Sequence, residues 1–352
     1  MVMLAELVDV VIGVDTHKDT HTAAVVATAN GATLAMVAFT TNPAGYAHVL
    51  DVARSHGATR AWAIEGTRTY GTGLVRALQA AGELVIEVDR PRRPPRRNGA
   101  KTDEIDALRC AREALANTTH AEPRSGADRD ALALLLATRD GVVEASRCAQ
   151  IQLQSFIITA PTELRERLRT GTARQRWDNC ARLRHRRDED FLTATTIDVL
   201  VATARRIHAL EAEAATHEKA IKRIVTGWRE DLLELVGVGP LVAARVLCAW
   251  SHPGRFHSEA AFAMLAGVAP IPASSGQTVR HRLNRRGDRQ LNSAIHTIAV
   301  TRLRHDERTQ AYATRSTAHG RTKAETRRCL KRYITRELYR ILEHPPKPLD
   351  TP

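Results

Sequence analysis

The sequence predicts an α/β domain at the N-terminus and a mostly helical, strongly basic remainder. Segments typical of strands and of helices alternate within the first 90 residues, whereas later segments have helical spacing. The charge is distributed just as unevenly. The 352-residue chain has a net charge of +13, but residues 1–90 hold six basic and nine acidic residues, so the rest carries +16. A basic region of this size favours a polyanionic partner.

Three predicted strands open the chain, and helices and strands alternate after them. Turn residues at Asn30-Gly31 and Asn42-Pro43 bound the third strand. Strands that meander and then continue through crossover units form a mixed sheet with helices on its faces. This order is that of an RNase H-like fold. The predicted strands are 10–15, 22–28, 34–40, 60–66 and 84–89, and the predicted helices are 43–55, 72–81 and 103–117.

The middle of the chain predicts a long helical arm. Residues 128–158 and 188–227 are helical in composition, and the segment 171–187 contains six arginines against one acid. We expect an antiparallel pair of helices around an exposed basic linker, which serves as a spacer or an oligomerisation arm. Helices near 289–304 and 323–342 follow. The predicted domains are 1–120, 121–227 and 228–345, with a tail at 346–352.

Membrane and secreted classes are disfavoured. No apolar run approaches the ~18–20 residues that a membrane span requires, and a start with Glu6 and Asp9 but no basic residue is unlike a signal peptide. The five cysteines lie far apart and form no C-x-x-C pair, which argues against a cysteine zinc site. We therefore expect a cytoplasmic protein with reduced thiols and no membrane partner.

Four acidic residues are candidate metal ligands. Asp15 ends the first strand and Glu65 lies at the matching place on the fourth, which is its neighbour in an RNase H-like sheet. Adjacent carboxylates repel unless a cation lies between them, and Mg²⁺ prefers oxygen ligands. Asp103 and Asp106 share a face at the start of a helix. One or two Mg²⁺ ions held by all four could activate a nucleophile at a phosphodiester.

Each of these residues also has an ordinary interpretation. Asp15 alone is typical of a turn, and Asp103 with Asp106 could merely compensate the helix dipole. His17 and His21 flank a turn rather than sharing a helix face, so a histidine zinc site is not favoured.

Three further segments are candidate nucleic-acid contacts. A stretch rich in proline and arginine, 90–101, predicts an exposed loop. The segment 232–250 has the form helix–Gly-x-Gly–helix, whose backbone N–H groups can contact a phosphate unless the glycines serve the turn alone. Arginines also follow Ser274-Ser275-Gly276, where they either bind a scissile phosphate beside a serine nucleophile or form a flexible basic clamp. The candidate contacts are Arg92, Arg93, Arg96, Arg97, Lys101, Gly237, Gly239, Arg280, Arg282, Arg285 and Arg286.

Six segments, in order along the chain, together resemble one protein family. They are 11–15, Glu65-Gly66-Thr67, Lys101-Thr102-Asp103-x-x-Asp106-Ala107, 235–244, Ser274-Ser275-Gly276 and Arg286-Gly287-Asp288. The first three resemble the DEDD domain of the insertion-sequence transposases of the IS one-ten group, whose relatives include the Piv-type DNA invertases. The last three resemble the C-terminal transposase domain of the same family. The resemblance covers roughly residues 8–340.

The resemblance implies a RuvC-like N-terminal domain whose four acids hold Mg²⁺, a long coiled-coil arm, and a mainly α C-terminal domain with a helix-hairpin-helix-like element. It implies that Ser275, with Ser274 as the alternative, attacks DNA and forms a phosphoserine linkage. It also implies donor and target DNA as partners, a homodimer or tetramer, a noncoding bridge RNA as guide, and a prokaryotic protein that acts at the nucleoid. The chain departs from the family pattern at Glu104-Ile105, Asp288 and Asn292, which spares the expected ligands and nucleophile.

Other functions compete with this interpretation. A resolvase-type endonuclease would use the acids with activated water and leave the serine idle. The segment 11–23 is similar to a phosphate hairpin of actin-like kinases, but the basic, helical chain after residue 125 offers no second sheet domain. A non-catalytic nucleic-acid-binding protein would leave the four acids unexplained.

Overall fold

The structure is a computed structural model, and it describes residues 3–88, 102–273, 281–282, 284 and 287–345. The chain divides into two compact units, Met1–Ser125 and Gly126–Pro352. The predicted subdivision of the second unit at residue 227 stays a prediction.

The first unit is built on a five-stranded mixed sheet with the order β3-β2-β1-β4-β5. Strands β1 to β3 meander antiparallel, while β4 pairs parallel with both β1 and β5. The predicted strands are confirmed, with ends that differ by at most two residues, and the mixed sheet agrees with the RNase H-like prediction. The strands are β1 Val10–Thr16, β2 Thr20–Ala27, β3 Thr33–Thr40, β4 Arg60–Glu65 and β5 Leu84–Val88.

Four helices among the described residues accompany the sheet and bury its two faces. Side chains alternate between the faces of a strand, so Ile12 and Trp62 lie in the core beneath α2 and α3, whereas Val11 and Ala63 lie in the core beneath α4. Asn42 begins α2 by accepting a hydrogen bond from the Gly45 amide. The helices are α1 Leu4–Leu7, α2 Pro43–His56, α3 Thr72–Ala80 and α4 Asp103–Ala116.

The second unit begins with two long helices, α5 Ala127–Thr159 and α8 Phe191–Arg229. Three side-chain contacts show that they run antiparallel, because the residue number rises on one helix as it falls on the other. These contacts are Arg139 Nη2 to Glu218 Oε1 at 2.8 Å, Ser146 Oγ to Glu211 Oε1 at 2.6 Å, and Arg206 Nη2 to Gln152 Oε1 at 2.7 Å. The predicted helical pair is therefore confirmed, and its description as a coiled coil stays a prediction.

The predicted exposed linker at 171–187 is wrong in part, because the structure has α7 Ala173–Ala181 within it, after the short α6 Thr162–Leu168. Thr172 and Gln175 form a capping box at its start. Cys180 is buried and Trp177 packs against the same apolar cluster at the end of the helical arm. The high arginine content led to the prediction of a linker instead of a helix. Trp177 and Cys180, spaced i, i+3, form an apolar face that is enough to pack the helix against the arm.

A separate core contains the remaining helices and the ends of α5 and α8 nearest to them. Arg229, which is buried, donates to Asp231 Oδ2 at 2.7 Å and to the carbonyl of Ile341 at 2.8 Å, so it joins the end of α8 to the last helix. None of the described helices is both long and apolar enough to cross a membrane. The elements are a 3-10 helix Glu230–Glu234, α9 Pro240–Trp250, α10 Glu259–Leu265, β6 Ile271–Pro272, β7 His281–Arg282, α11 Arg289–His305, α12 Glu307–Ala318 and α13 Lys323–Glu343.

Candidate functional site

The structure brings Asp15 and Asp103 together around His17. The His17 Nε2 atom lies 3.2 Å from Asp15 Oδ2 and 3.3 Å from Asp103 Oδ1. One ligand atom from each of the three residues lies within 4.8 Å of the others, a spacing that one metal ion can span. Two residues separated by 88 positions in the chain therefore face one point.

The alternation of side chains along β1 and β4 explains why Asp15 faces helix α4. Val11 and Gly13 precede Asp15 at intervals of two, and Val11 lies in the core beneath α4. Ala63 and Glu65 follow the same alternation on β4. Both acids therefore lie at strand ends on the face that α4 covers.

A close approach at Gly13 sets the position of α4. A Cβ atom at this residue would lie 2.1 Å from the carbonyl oxygen of Ala107 and 2.5 Å from the amide of Ala111. Only glycine allows the helix to rest directly on β1. Because Ala107 lies one turn after the start of α4, this contact holds Asp103 above the end of the strand.

Glu65 lies beside Asp15 at the end of β4. In the parallel register Val14 pairs with Ile64, so the two acids occupy the next position on each strand. The Thr16 hydroxyl donates to the Glu65 carbonyl at 3.0 Å and ties the strand ends together. The chain turns away at Gly66, whose φ of +73° suits glycine.

Cys110 of α4 provides a second indication that the acids converge. Burial, together with the negative charges of Glu65, Asp15 and Asp106, raises the pKa of its thiol to about 12. The negative charges of three of the four predicted ligands therefore act on one buried sulfur atom. A buried thiol with a pKa raised in this way stays protonated and unreactive at neutral pH.

Asp106 already has a cationic neighbour. Its Oδ1 atom accepts from Arg109 Nη1 at 2.7 Å, one turn further along α4. Its carboxylate nevertheless helps to raise the pKa of Asp15. We conclude that Asp106 lies at the edge of the cluster, where Arg109 can balance its charge.

The pKa of Asp15 is raised, chiefly by burial and further by the charges of Asp106 and Asp103, whereas His17 lowers it. Desolvation and like charges both disfavour the ionised form. A divalent cation would reverse this balance, since a bound ion is the largest local charge in such a site.

His17 belongs to this cluster of candidate ligands and His21 supports it, and the sequence interpretation undervalued both residues. His21 is fully buried, and its ring contacts Phe39 edge-on at 5.4 Å and stacks near Tyr46 at 6.4 Å. Its Nδ1 atom accepts from the His17 amide at 3.2 Å, so it supports the turn that carries His17. Burial lowers the pKa of His21, which keeps the ring neutral. The available signal was a histidine two residues after a strand-ending aspartate.

The donor set suits a divalent metal. The His17 Nε2 atom is buried and has no hydrogen-bond partner of normal geometry among the described residues, although two carboxylate oxygens lie beside it. Carboxylates are preferred by Mg²⁺, and an imidazole nitrogen also accommodates Mn²⁺ or Zn²⁺. A cation between Asp15, His17 and Asp103 would satisfy this buried nitrogen and both acids.

Most of the predicted basic contacts lie outside the described residues. Arg282 is described: it is exposed on β7, which pairs with β6. The predicted nucleophiles also lie outside the described part, so their position stays a prediction. The undescribed residues are Ser274, Ser275, Arg92, Arg93, Arg96, Arg97, Lys101, Arg280, Arg285 and Arg286.

The described residues after the serine motif are firmly anchored. Asp288 begins α11 by accepting from the amides of Gln290 and Leu291, both at 3.0 Å. Asn292 donates to the Ala266 carbonyl at 2.7 Å. The two departures from the family pattern at Asp288 and Asn292 therefore have structural roles in this chain.

The two glycines of the predicted phosphate-contacting turn differ in their surroundings. Gly237 has a φ of +87°, and a Cβ there would lie 3.1 Å from the carbonyl oxygen of Ile298 in α11. Its conformation and this packing against α11 account for glycine at that position. Gly239 has open space around it, so it is the more accessible of the two.

Comparison with known families gives two matches that do not overlap. The model described as "Transposase IS116/IS110/IS902 family" matches residues 229–314. The DEDD transposase model of the IS110 group matches residues 12–159, which include all four predicted acids. Together they cover about two thirds of the chain. A search of curated proteins finds no match.

Proposed function

Because the chain belongs to the IS116/IS110/IS902 family of transposases, enzymes that cleave and recombine DNA, we propose that it moves an insertion sequence by way of a covalent protein–DNA intermediate. In this proposal the four acids Asp15, Glu65, Asp103 and Asp106 hold one or two Mg²⁺ ions at the scissile phosphate. Ser275 supplies the nucleophile, and Ser274 is the alternative.

The observation that carries the metal assignment is the convergence of Asp15 and Asp103 on the buried Nε2 atom of His17. Burial and neighbouring acids raise the pKa of Asp15. An arrangement of this kind destabilises the empty protein and is relieved by a cation. A role in folding alone would not require acids on β1 and α4 to face each other.

Bound Mg²⁺ would polarise the phosphodiester and stabilise the charge that develops on its oxygens. The protein contributes position: Gly13 holds α4 against β1, and Thr16 holds the ends of β1 and β4 together. The serine oxygen would form a bond to phosphorus as one strand end leaves as a hydroxyl. A hydroxyl of the second DNA strand would later displace the serine, so each step replaces one phosphoester with another and rejoining needs no ATP.

Guide RNA and oligomerisation belong to the same proposal. The charge of +16 beyond residue 90 supports contact with more than one nucleic-acid strand. The long α5–α8 pair supports an assembly of two or four copies, because antiparallel helices of this length present extended side faces to a partner.

The decisive experiment separates the covalent route from the runner-up, a resolvase-like endonuclease that uses activated water. The full-length protein is incubated with donor and target DNA carrying the element's ends and with RNA transcribed from the same element. Covalent adducts are then trapped by denaturing electrophoresis. We expect Ser275→Ala to abolish the adduct and recombination, whereas Asp15→Asn abolishes both and Asp19→Asn, a nearby exposed acid, abolishes neither.

One outcome would contradict the covalent route, and another would select the alternative nucleophile. Cleavage by Ser275→Ala at the wild-type rate, with no adduct in either protein, would favour the endonuclease. Loss of the adduct only in Ser274→Ala would move the nucleophile by one residue.

Replacing Mg²⁺ by Mn²⁺ should preserve activity, since His17 accepts the softer ion.

A further inference from the structure

The second unit contains a cleft that the proposed chemistry does not use. It lies among α11, α12 and α13 and has a volume of about 640 Å³. This volume falls within the range of ~300–1,000 Å³ that is typical of small-ligand sites. The cleft is therefore large enough for a nucleotide and far too small for a DNA duplex.

The cleft carries an excess of positive charge. Five arginines and two acids line it, and the acids are already engaged. Glu337 accepts from Arg302 at 2.5 Å, and Asp306 caps the start of α12. Arg336 Nε lies 3.5 Å from a carboxylate oxygen of Glu259. The three other arginines are exposed and have no ion-pair partner within the part of the chain that the structure describes: Arg308, Arg315 and Arg340.

Two tyrosines add an aromatic wall to these arginines. The rings of Tyr312 and Tyr333 meet edge to face at 5.6 Å, and Tyr333 is 52% exposed. The Tyr312 hydroxyl is buried and finds no hydrogen-bond partner of normal geometry in the described chain, with only the weakly accepting sulfur of Cys329 near it. The cleft thus combines an exposed aromatic ring with guanidinium groups.

We propose that this cleft binds an unpaired nucleotide of a nucleic-acid strand, with its base against Tyr333 and its phosphates on Arg308, Arg315 and Arg340. Aromatic rings stack on bases only when the bases are not enclosed in a duplex, and arginine pairs with phosphate through two parallel hydrogen bonds. The same chemistry is offered by single-stranded DNA and by unpaired RNA. The inference rests on the proposed function only in taking nucleic acid as the substrate.

Equilibrium binding to the full-length protein tests the cleft without strand cleavage, in buffer containing EDTA. The probes are three labelled 12-residue oligonucleotides of one sequence: single-stranded DNA, single-stranded RNA and duplex DNA. We expect Tyr333→Ala to weaken binding of a single strand roughly 5-fold or more, since stacking on one aromatic ring contributes about 1–3 kcal/mol per base. Duplex binding should change less than about twofold, and Tyr333→Phe should bind as the wild type does.

Matched controls separate the cleft from general surface charge. Phe191→Ala removes a more exposed aromatic ring from α8, and Arg205→Gln removes an exposed arginine from the same helix. Arg340→Gln should weaken single-strand binding and lower the salt dependence by about one phosphate contact. Arg205→Gln and Phe191→Ala should leave the preference for single strands over duplex unchanged.

The outcomes are distinct. The ratio of DNA to RNA affinity identifies the source of the nucleotide. Wild-type affinity of Tyr333→Ala for both single strands would overturn the cleft proposal, as would an equal loss for duplex and single strands. A change in sedimentation without a change in single-strand binding would instead assign the cleft to a second copy of the chain. If Tyr333→Ala does not fold, Arg340→Gln decides by the same comparison.

A wild-type protein that binds none of the three probes would contradict the proposed function as well. If the wild-type protein binds the probes and Tyr333→Ala binds them with the same affinity, only the cleft proposal is contradicted. The two failures are therefore distinguishable.

Discussion

Replacing Gly13 by alanine should disrupt the site without touching any predicted ligand. The new Cβ would lie 2.1 Å from the Ala107 carbonyl oxygen, whereas ordinary contacts begin at 3.4 Å. The difference requires α4 to move by about 1.3 Å. Overpacking of this kind typically destabilises a protein by ~1–3 kcal/mol. A shift of about 1 Å between catalytic groups can lower activity on the order of 100-fold.

The measurement combines urea unfolding with metal-dependent strand cleavage. We expect Gly13→Ala to lower both stability and cleavage, with the loss in cleavage persisting at temperatures where the variant is fully folded. Gly141→Ala is the matched control, because Gly141 lies in α5 with open space around its Cα. That change should stabilise the protein by about 0.5–1 kcal/mol, through the higher helix propensity of alanine, and leave cleavage intact.

Wild-type stability and wild-type cleavage in Gly13→Ala would contradict this prediction. Helix α4 would then not rest on β1 at this residue, and the placement of Asp103 above Asp15 would need another explanation. A stable variant with reduced cleavage would still agree with the structure, since it would show that α4 had shifted rather than detached.

Three other predictions concern charge and capping. The folded-state pKa of Asp15 is raised, so the stability linked to its protonated form is present below its ordinary pKa of 3.8 and is lost as pH rises through the folded value. In metal-free buffer, Asp15→Asn should therefore unfold at a higher urea concentration than the wild type at pH 7 but not at pH 3. Addition of Mg²⁺ should stabilise only the wild type. Equal urea midpoints of the two proteins at both pH values would contradict this prediction. Arg60→Met should destabilise the protein by about 3–5 kcal/mol in urea unfolding, because it leaves the nearly buried carboxylate of Glu83 without the cation 2.7 Å away; a loss below about 1 kcal/mol would show that Glu83 finds water. Thr172→Ala should remove the capping box and cost about 1 kcal/mol, with faster amide exchange confined to Ala173–Ala181; unchanged exchange would argue against a helix there.

Much of the first unit was predictable because its signals are local. Apolar runs bounded by turn residues located all five strands, and the four acids were selected by their places at strand ends and at a helix start. The role of the acids as ligands stays a prediction. His17 was undervalued because its partners are Asp15, two residues away, and Asp103, 86 residues away. No local spacing pattern reports the second of these contacts.

The second unit shows where composition misleads. Six arginines in 171–187 indicated an exposed linker, yet Trp177 and Cys180 dock α7 onto the helical arm while most of the arginines remain in solvent. Burial is decided by one face of a helix, and average polarity does not record which face is apolar. The arginine and tyrosine cleft was missed for a related reason, because α12 was not predicted and its side chains meet those of α13 only after both helices pack.

The sequence by itself determined the kind of each element of the first sheet and the face on which Asp15 and Glu65 lie, because alternation along a strand is a property of the backbone. Only the tertiary structure decided that α4 approaches β1 closely enough for Asp103 to reach His17. That approach depends on the absence of a side chain at Gly13, because the carbonyl of Ala107, 94 residues later in the chain, occupies the space that a Cβ would need. Packing between such distant segments leaves no periodic pattern in the sequence.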